Sequence, residues 1–165
     1  MDVDNELGPQ LLRWRHHLHQ FPETGFNEHR TADYLAKALE LLGLEVHRGI
    51  GGTGLVASLT LGQGKGVIGL RADMDALALS ETAEGRTHIS RNAGCMHACG
   101  HDAHTAMLAS AARALCSKRS ELAGTVLFMF QPGEEGWHGA KKMIADGLLD
   151  EPTPEAAFAL HIFPN

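Results

Sequence analysis

The spacing of apolar residues changes several times along the chain, and each change marks an element. From Leu7 to Gln20, Leu11, Leu12, Trp14 and Leu18 recur among polar neighbours at the interval of one helix face. Phe21-Pro22 ends that helix, because proline disfavours helical geometry in the residue before it. A second helix is predicted over Asn27 to Leu42, where Tyr34, Leu35, Ala38, Leu39 and Leu42 form an i, i+3, i+4 stripe and Gly43 suits a C-terminal cap. Short runs at Leu44–His47, Leu55–Leu61 and Val67–Leu70 predict strands, the last of the kind buried on both faces. Ser80–Gly94 reads as loop. Helical spacing returns from Asp102 to Lys118, with Met107, Leu108, Ala111, Ala112 and Leu115 facing inward. Val126–Phe130 is a further buried strand closed by Gln131-Pro132-Gly133, followed by a helix over His138–Asp146 and a strand over Ala156–Ile162. Strands alternating with helices predict an α/β layered domain with a mostly parallel central sheet.

Composition narrows the classes of partner. The 165 residues are about one domain's worth, and 44% apolar with 21% charged is ordinary for a folded globular protein. A net charge of −6 argues against nucleic acid and against anionic lipid as partners. No apolar run approaches the ~20 residues of a membrane span. The acidic start MDVDNELGPQ lacks the apolar core of an export signal. Three cysteines cannot all pair within one chain, so reduced thiols and a cytoplasmic location are expected. Gly49, Gly51 and Gly54 match the G-x-G-x-x-G dinucleotide fingerprint, but that motif needs a helix directly after it. Leu55-Val56-Ala57-Ser58-Leu59 continues as strand, so a glycine hairpin is expected instead.

Histidine is over-used: eleven residues, with His97, His101 and His104 clustered beside Cys95 and Cys99. Four segments carry groups suited to a metal. In Leu70-Arg71-Ala72-Asp73-Met74-Asp75, two carboxylates at i and i+2 share a direction on extended chain and would face the crevice beyond the carboxyl edge of a sheet; equally, they can cap a turn or pair with Arg71. In the stretch from Cys95 to His104, Cys99-Gly100-His101 offers a thiolate and an imidazole two residues apart, both good ligands for zinc and similar ions. Asp102 is expected to cap the helix that follows. A catalytic site is one reading; a structural Cys/His knot or simple packing are the others. In Phe130-Gln131-Pro132-Gly133-Glu134-Glu135, adjacent carboxylates repel unless a cation or water lies between them, so one can ligate a metal while its neighbour holds a water, or both are a solvated loop pair. His161, in Ala159-Leu160-His161-Ile162-Phe163-Pro164, is a ligand or a satisfied core histidine.

Taken together and in order, Arg15-His16-His17-Leu18-His19-Gln20-Phe21-Pro22-Glu23, Leu70 to Leu77 (LRADMDAL), Met96-His97-Ala98-Cys99-Gly100-His101-Asp102-Ala103-His104-Thr105-Ala106, Phe130 to Glu135 (FQPGEE) and Leu160-His161 resemble the peptidase M20 amidohydrolases, in the branch of hippurate hydrolase and the auxin-conjugate amidohydrolases. The resemblance implies a zinc-peptidase-like α/β catalytic domain with a smaller inserted domain. It also implies two divalent metal ions (zinc, manganese, nickel or cobalt) and hydrolysis of the amide of small-molecule N-acyl amino acids by a metal-activated water. Carried over by position, Cys99, His101, Glu135 and His161 would be metal ligands, with Cys99 bridging the ions, and Glu134 the general base. Asp73 and Asp75 would orient the ligands by hydrogen bonds, and His97 and His104 would pack or support rather than ligate.

Two departures accompany the likeness. Ala78 stands where the family usually has proline. The chain stops at Asn165, so residues 1–165 correspond to the N-terminal part of the catalytic domain. The inserted domain, through which a homodimer would form, and a last ligand histidine lie beyond that point. Two readings result: an amidohydrolase represented in part, or a truncated, catalytically inactive metal-binding fragment whose unfinished sheet edge invites pairing. Whether the reading frame continues after Asn165 discriminates them.

Overall fold

In the computed structural model, which describes residues 3–163, the predicted stripe at Tyr34–Leu42 folds as the second of four α-helices: α1 (Val3–Gln20), α2 (His29–Leu41), α3 (His101–Ser117) and α4 (Gly139–Ala145). The end of α2 shows why Gly43 stands there. The Gly43 N–H bonds to the Glu40 carbonyl at 2.9 Å and the Leu44 N–H to the Leu39 carbonyl at 3.3 Å. This pattern of two backward bonds needs a left-handed residue between them, and Gly43 has φ +75°. Leu44 and Leu39 are both buried beneath it, so the cap also seats the entry to the sheet.

Five strands follow, β1 (Glu45–Ile50), β2 (Gly54–Leu61), β3 (Val67–Asp73), β4 (Gly124–Gln131) and β5 (Ala156–Ala159), in the spatial order β1-β2-β4-β3-β5. The glycine hairpin is as expected: the short turn between β1 and β2 forces antiparallel pairing. β2 is also antiparallel to β4, whereas β3 runs parallel to β4 and β5. The sheet is therefore mixed, and its parallel part is the half joined through α3 and α4, since parallel neighbours require a crossover. This arrangement brings the carboxyl ends of β3, β4 and β5 to one edge. β5 is shorter than the predicted Ala156–Ile162, because its pairing with β3 runs from Ile68 to Arg71 and reaches no further than Ala159.

Alternation along the strands divides the interior. Leu55, Ala57 and Leu59 of β2 and Phe128 and Phe130 of β4 point toward α1, α2 and α3, where Trp14, Leu18, Leu35, Leu39, Ala106, Ala109 and Ala112 complete the main core. Val56, Leu127 and Met129 point the other way and pack on Met143 of α4. β4 is thus buried on both faces, which accounts for the unbroken apolar run in its sequence. Among the described residues no helix is long and apolar enough to cross a membrane.

The segment Ser80–Gly94 is irregular, as predicted, but it is strapped onto α1. Arg91 donates its N–H to the Gln20 carbonyl at 2.8 Å, and Asn92 Nδ2 donates to the Pro22 carbonyl at 2.7 Å. Glu81 accepts from Ser90 N at 2.6 Å, from Arg86 Nη1 at 2.8 Å and from His19 Nε2 at 2.9 Å. His19 Nδ1 donates to Asp102 at 2.8 Å, and Arg15 meets the same carboxylate at 2.9 Å. Asp102 is therefore a partner of α1 and does not cap α3 as expected; the cap position belongs to Gly100, in left-handed geometry with φ +88°.

These bonds carry a pH signature. Burial opposes the charge on Glu81, but His19, Ser90 and Arg86 outweigh it and hold the carboxyl down at about 2. The hydrogen bond to Asp102 raises His19 above its ordinary value. A lowered carboxyl stabilises above its unfolded pKa and is lost as pH falls; a raised imidazole stabilises below its unfolded pKa and is lost as pH rises. The gap in denaturation midpoint between the native protein and Glu81→Gln is therefore expected to be widest between pH 4.5 and 6.5 and to narrow on both sides. A gap that is flat from pH 3 to 9 in urea titrations would contradict this.

Candidate metal centre

Three parallel strands ending at one edge deliver three of the four sequence segments to one place, and the start of α3 delivers the fourth. Asp73 is the last residue of β3 and pairs with Gln131, the last of β4. Met74 N bonds back to the Gln131 carbonyl at 2.9 Å, so Asp75 and the Pro132–Glu135 turn leave the sheet side by side. Gly100 opens α3 with a backbone turn that carries Cys99 and His101 to the same spot, and His161 follows β5. The structure brings Asp73, Asp75, Cys99, His101, Glu134, Glu135 and His161 together. Pro164, the last residue of the fourth segment, lies outside the described residues.

His101 is the hub. It is fully buried, and its Nδ1–H donates to the Asp75 carbonyl at 2.8 Å, with the Asp75 carboxylate at 3.3 Å. That bond leaves the lone pair of the neutral ring on Nε2, the orientation in which metal-ligating histidines are held. Nε2 lies 3.8 Å from Glu135 Oε1, 3.8 Å from Glu134 Oε2 and 3.7 Å from Asp73 Oδ2. Beside it, Cys99 Sγ and His161 Nε2 are 3.5 Å apart, while His161 Nδ1 is turned to the Ile162 carbonyl at 2.7 Å. Cys99, His101 and His161 offer ligand atoms all within 4.8 Å of one another, as do His101, Glu134 and Glu135.

These spacings test whether an ion fits. Ligands at roughly 2.0–2.3 Å from a tetrahedral ion lie about 3.3–3.8 Å from one another, the separation seen here. His101 Nε2 and Glu135 Oε1 are both buried without a hydrogen-bond partner. Buried polar atoms are normally paired, and these two face each other across the gap an ion would fill. Sulfur, imidazole and carboxylate together suit zinc and its neighbours.

The local charge points the same way. Burial first, then Glu135, then the charges of Asp73 and Glu134 push the Cys99 thiol up to about 11. Burial works against ionisation of Asp75 and Asp73, yet His101 and the Glu134 and Glu135 N–H groups hold Asp75 below its ordinary value, while His104, His101 and Arg71 do so for Asp73. Burial likewise opposes the charge on His101, but Asp75 and Asp73 lift it above the ordinary imidazole value. The site is an excess of anions gathered around one ring, the setting in which a bound cation dominates the field.

Asp73 and Asp75 make different contacts. Asp73 pairs with Arg71 Nη1 at 2.9 Å and also accepts from His104 Nδ1 at 2.6 Å. Asp75 accepts the Glu134 N–H at 2.9 Å and the Glu135 N–H at 3.0 Å, so one buried carboxylate orients the whole diglutamate turn. A residue the sequence reasoning passed over completes this grip: Glu28, fully buried, accepts the Gly133 N–H at 2.8 Å and the Thr53 hydroxyl. Three successive N–H groups are thus tied to two acids. Glu28 sits just before α2, where an acid reads as an ordinary helix-start residue, so no local signal marks it. His97 is buried with both ring nitrogens unpartnered, and burial lowers it to about 4; it belongs to none of the groups whose ligand atoms converge within 4.8 Å among the described residues.

Residues 69–165 match the model of peptidase family M20/M25/M40. The chain is 45% identical over 159 residues to a hippurate hydrolase of Campylobacter jejuni, covering 96% of this chain and 41% of that protein. It is 44% identical over 152 residues to the IAA-amino acid hydrolase ILR1-like 6 of Arabidopsis thaliana, covering 92% and 32%. The crystal structure of Bacillus subtilis YXEP, described as a dinuclear metal binding peptidase from the M20 family, superposes with a TM-score of 0.91 at 37% identity, covering 98% of this chain and 45% of that one. The chain therefore spans between about a third and two-fifths of the length of these curated relatives.

Proposed function

The chain belongs to peptidase family M20/M25/M40, and from that premise we propose that it is the N-terminal part of the catalytic domain of a metal-dependent amidohydrolase that cleaves N-acyl amino acids. The smaller inserted domain then lies outside residues 1–165. The observation that carries the reading is the facing pair of buried, unpartnered atoms, His101 Nε2 and Glu135 Oε1, beside the Cys99–His161 pair. The substrates named for the relatives, hippurate and IAA-amino acids, are amides between an acyl group and an amino acid.

In this reading Cys99, His101, Glu135 and His161 would hold two divalent ions, zinc, manganese, nickel or cobalt. When bound, such ions supply Lewis acidity, lowering the pKa of water and polarising a carbonyl. Glu134, whose backbone is held by Asp75 while its carboxylate stays 42% exposed, accepts a proton from the attacking water and returns it to the leaving amine. Cys99 serves as a ligand and not as the nucleophile. All three cysteines are free thiols, which fits the reducing cytoplasm.

The test is a panel of N-acyl amino acids assayed with the full-length protein, with and without a chelator. Turnover is expected to vanish on chelation and to return with added Zn²⁺ or Mn²⁺. Cys99→Ala is expected to lower the metal content per chain in elemental analysis. Chelator-resistant turnover overturns the metal-dependent reading, and unchanged stoichiometry in Cys99→Ala removes that residue from the ligand set.

A further inference from the structure

His161 is carried by a stretch that the sheet holds weakly. β5 is an edge strand of four exposed residues, and its ladder with β3 ends at Ala159, two residues short of the histidine. Beyond that point the Ile162 N–H donates to His104 Nε2 on α3 at 3.0 Å. A backbone N–H can only donate, so Nε2 is the acceptor and the ring proton sits on Nδ1. That proton goes to Asp73 Oδ1 at 2.6 Å. Asp73 is itself held by Arg71, whose guanidinium bonds Gln131 Oε1 at 2.8 and 2.6 Å. One hydrogen-bond chain therefore runs from the end of β4, through the end of β3 and α3, to the segment after β5.

Two further contacts work with it. The rings of His104 and His161 meet edge to face, with centroids 4.6 Å apart. The Ile162 side chain rests on Gly100, where any Cβ would collide with it and where φ is +88°. Both nitrogens of buried His104 are occupied. It thus has no lone pair left for a metal, although its ligand atoms lie within 4.8 Å of those of Asp73 and His101.

We propose that His104 is a positioning residue for the ion held through His161: it fixes the Ile162 main chain so that His161 Nε2 faces Cys99 Sγ. This rests on the two-ion reading given above. The neutral ring with its proton on Nδ1 acts as a spacer between Asp73 and the incoming chain. Without it the exposed tail of β5 is free to swing, and the distance between His161 and Cys99 is no longer set.

The full-length protein and four variants test this by elemental analysis and by titration with Zn²⁺ against a chelating dye. The native protein is expected to hold two ions per chain. His104→Ala should hold about one, with affinity at the second site weakened about 10–100-fold. His104→Gln, whose side-chain oxygen can accept the same N–H, should recover much of the loss. Ile162→Pro deletes the donor without touching α3 and should reproduce the His104→Ala result even if that variant folds poorly, whereas Ile162→Ala keeps the donor and should hold both ions. Two ions at native affinity in both His104→Ala and Ile162→Pro, or equal loss in Ile162→Ala, overturns the inference. A native protein that binds no second ion overturns the two-ion reading itself, and this inference with it.

Discussion

Glu134→Gln is expected to cut kcat of the full-length protein on an N-acyl amino acid by at least ~10²-fold, the lower end of what a positioned general base contributes. Metal content per chain should not change. The substitution keeps the size of the side chain and its backbone bond to Asp75 at 2.9 Å, so the turn that carries it is undisturbed. What it removes is the capacity to accept a proton 3.8 Å from His101 Nε2, beside the position assigned to the ions. KM should move little, because the amide side chain fills the same space. Near-native kcat with full metal occupancy would show that Glu134 is not the base.

Asp75→Asn is expected to have the broadest effect of any single change in the site. The carboxylate accepts two successive N–H groups, at 2.9 and 3.0 Å, and its residue holds His101 Nδ1 at 2.8 Å. Asparagine presents one oxygen and one NH₂, so one of those N–H groups faces a donor and loses its partner. An unsatisfied buried donor costs about 1–3 kcal/mol. Glu135, a ligand in the proposed reading, loses its fixed orientation, for which about 10–100-fold in metal affinity is the usual loss, while the main-chain carbonyl that holds His101 Nδ1 is retained. The two effects separate experimentally. The stability loss persists in excess chelator, because the Asp75 bonds need no ion, while the affinity loss appears in a Zn²⁺ titration. Unchanged midpoint and unchanged affinity would assign Asp75 no supporting role.

Legibility in the sequence differed with how local each feature is. The α2 stripe with its Gly43 cap, the doubly buried run of β4 and the glycine hairpin were readable, because each depends on residues within about ten positions of one another. The Cys99-Gly100-His101 and Glu134-Glu135 pairs were readable as chemistry for the same reason. Its place at the start of a helical stretch makes Asp102 look like a cap. The structure turns it instead toward His19 and Arg15, two partners more than eighty positions away in the chain. β5 is shorter than its apolar run because a strand ends where its neighbour stops pairing, which depends on β3.

The sequence alone determined the period of each element and the inventory of sulfur, imidazole and carboxylate groups, since both follow from side-chain chemistry and short-range spacing. Only the tertiary structure decided which strands form the parallel half of the sheet and that their carboxyl ends bring Asp73, Asp75, Glu135 and His161 to the start of α3. It alone decided that buried Glu28 and His104 hold the turn and the tail on either side of that edge. The reason is that a hydrogen bond acts over about 3 Å, a distance that chain separation neither reveals nor forbids.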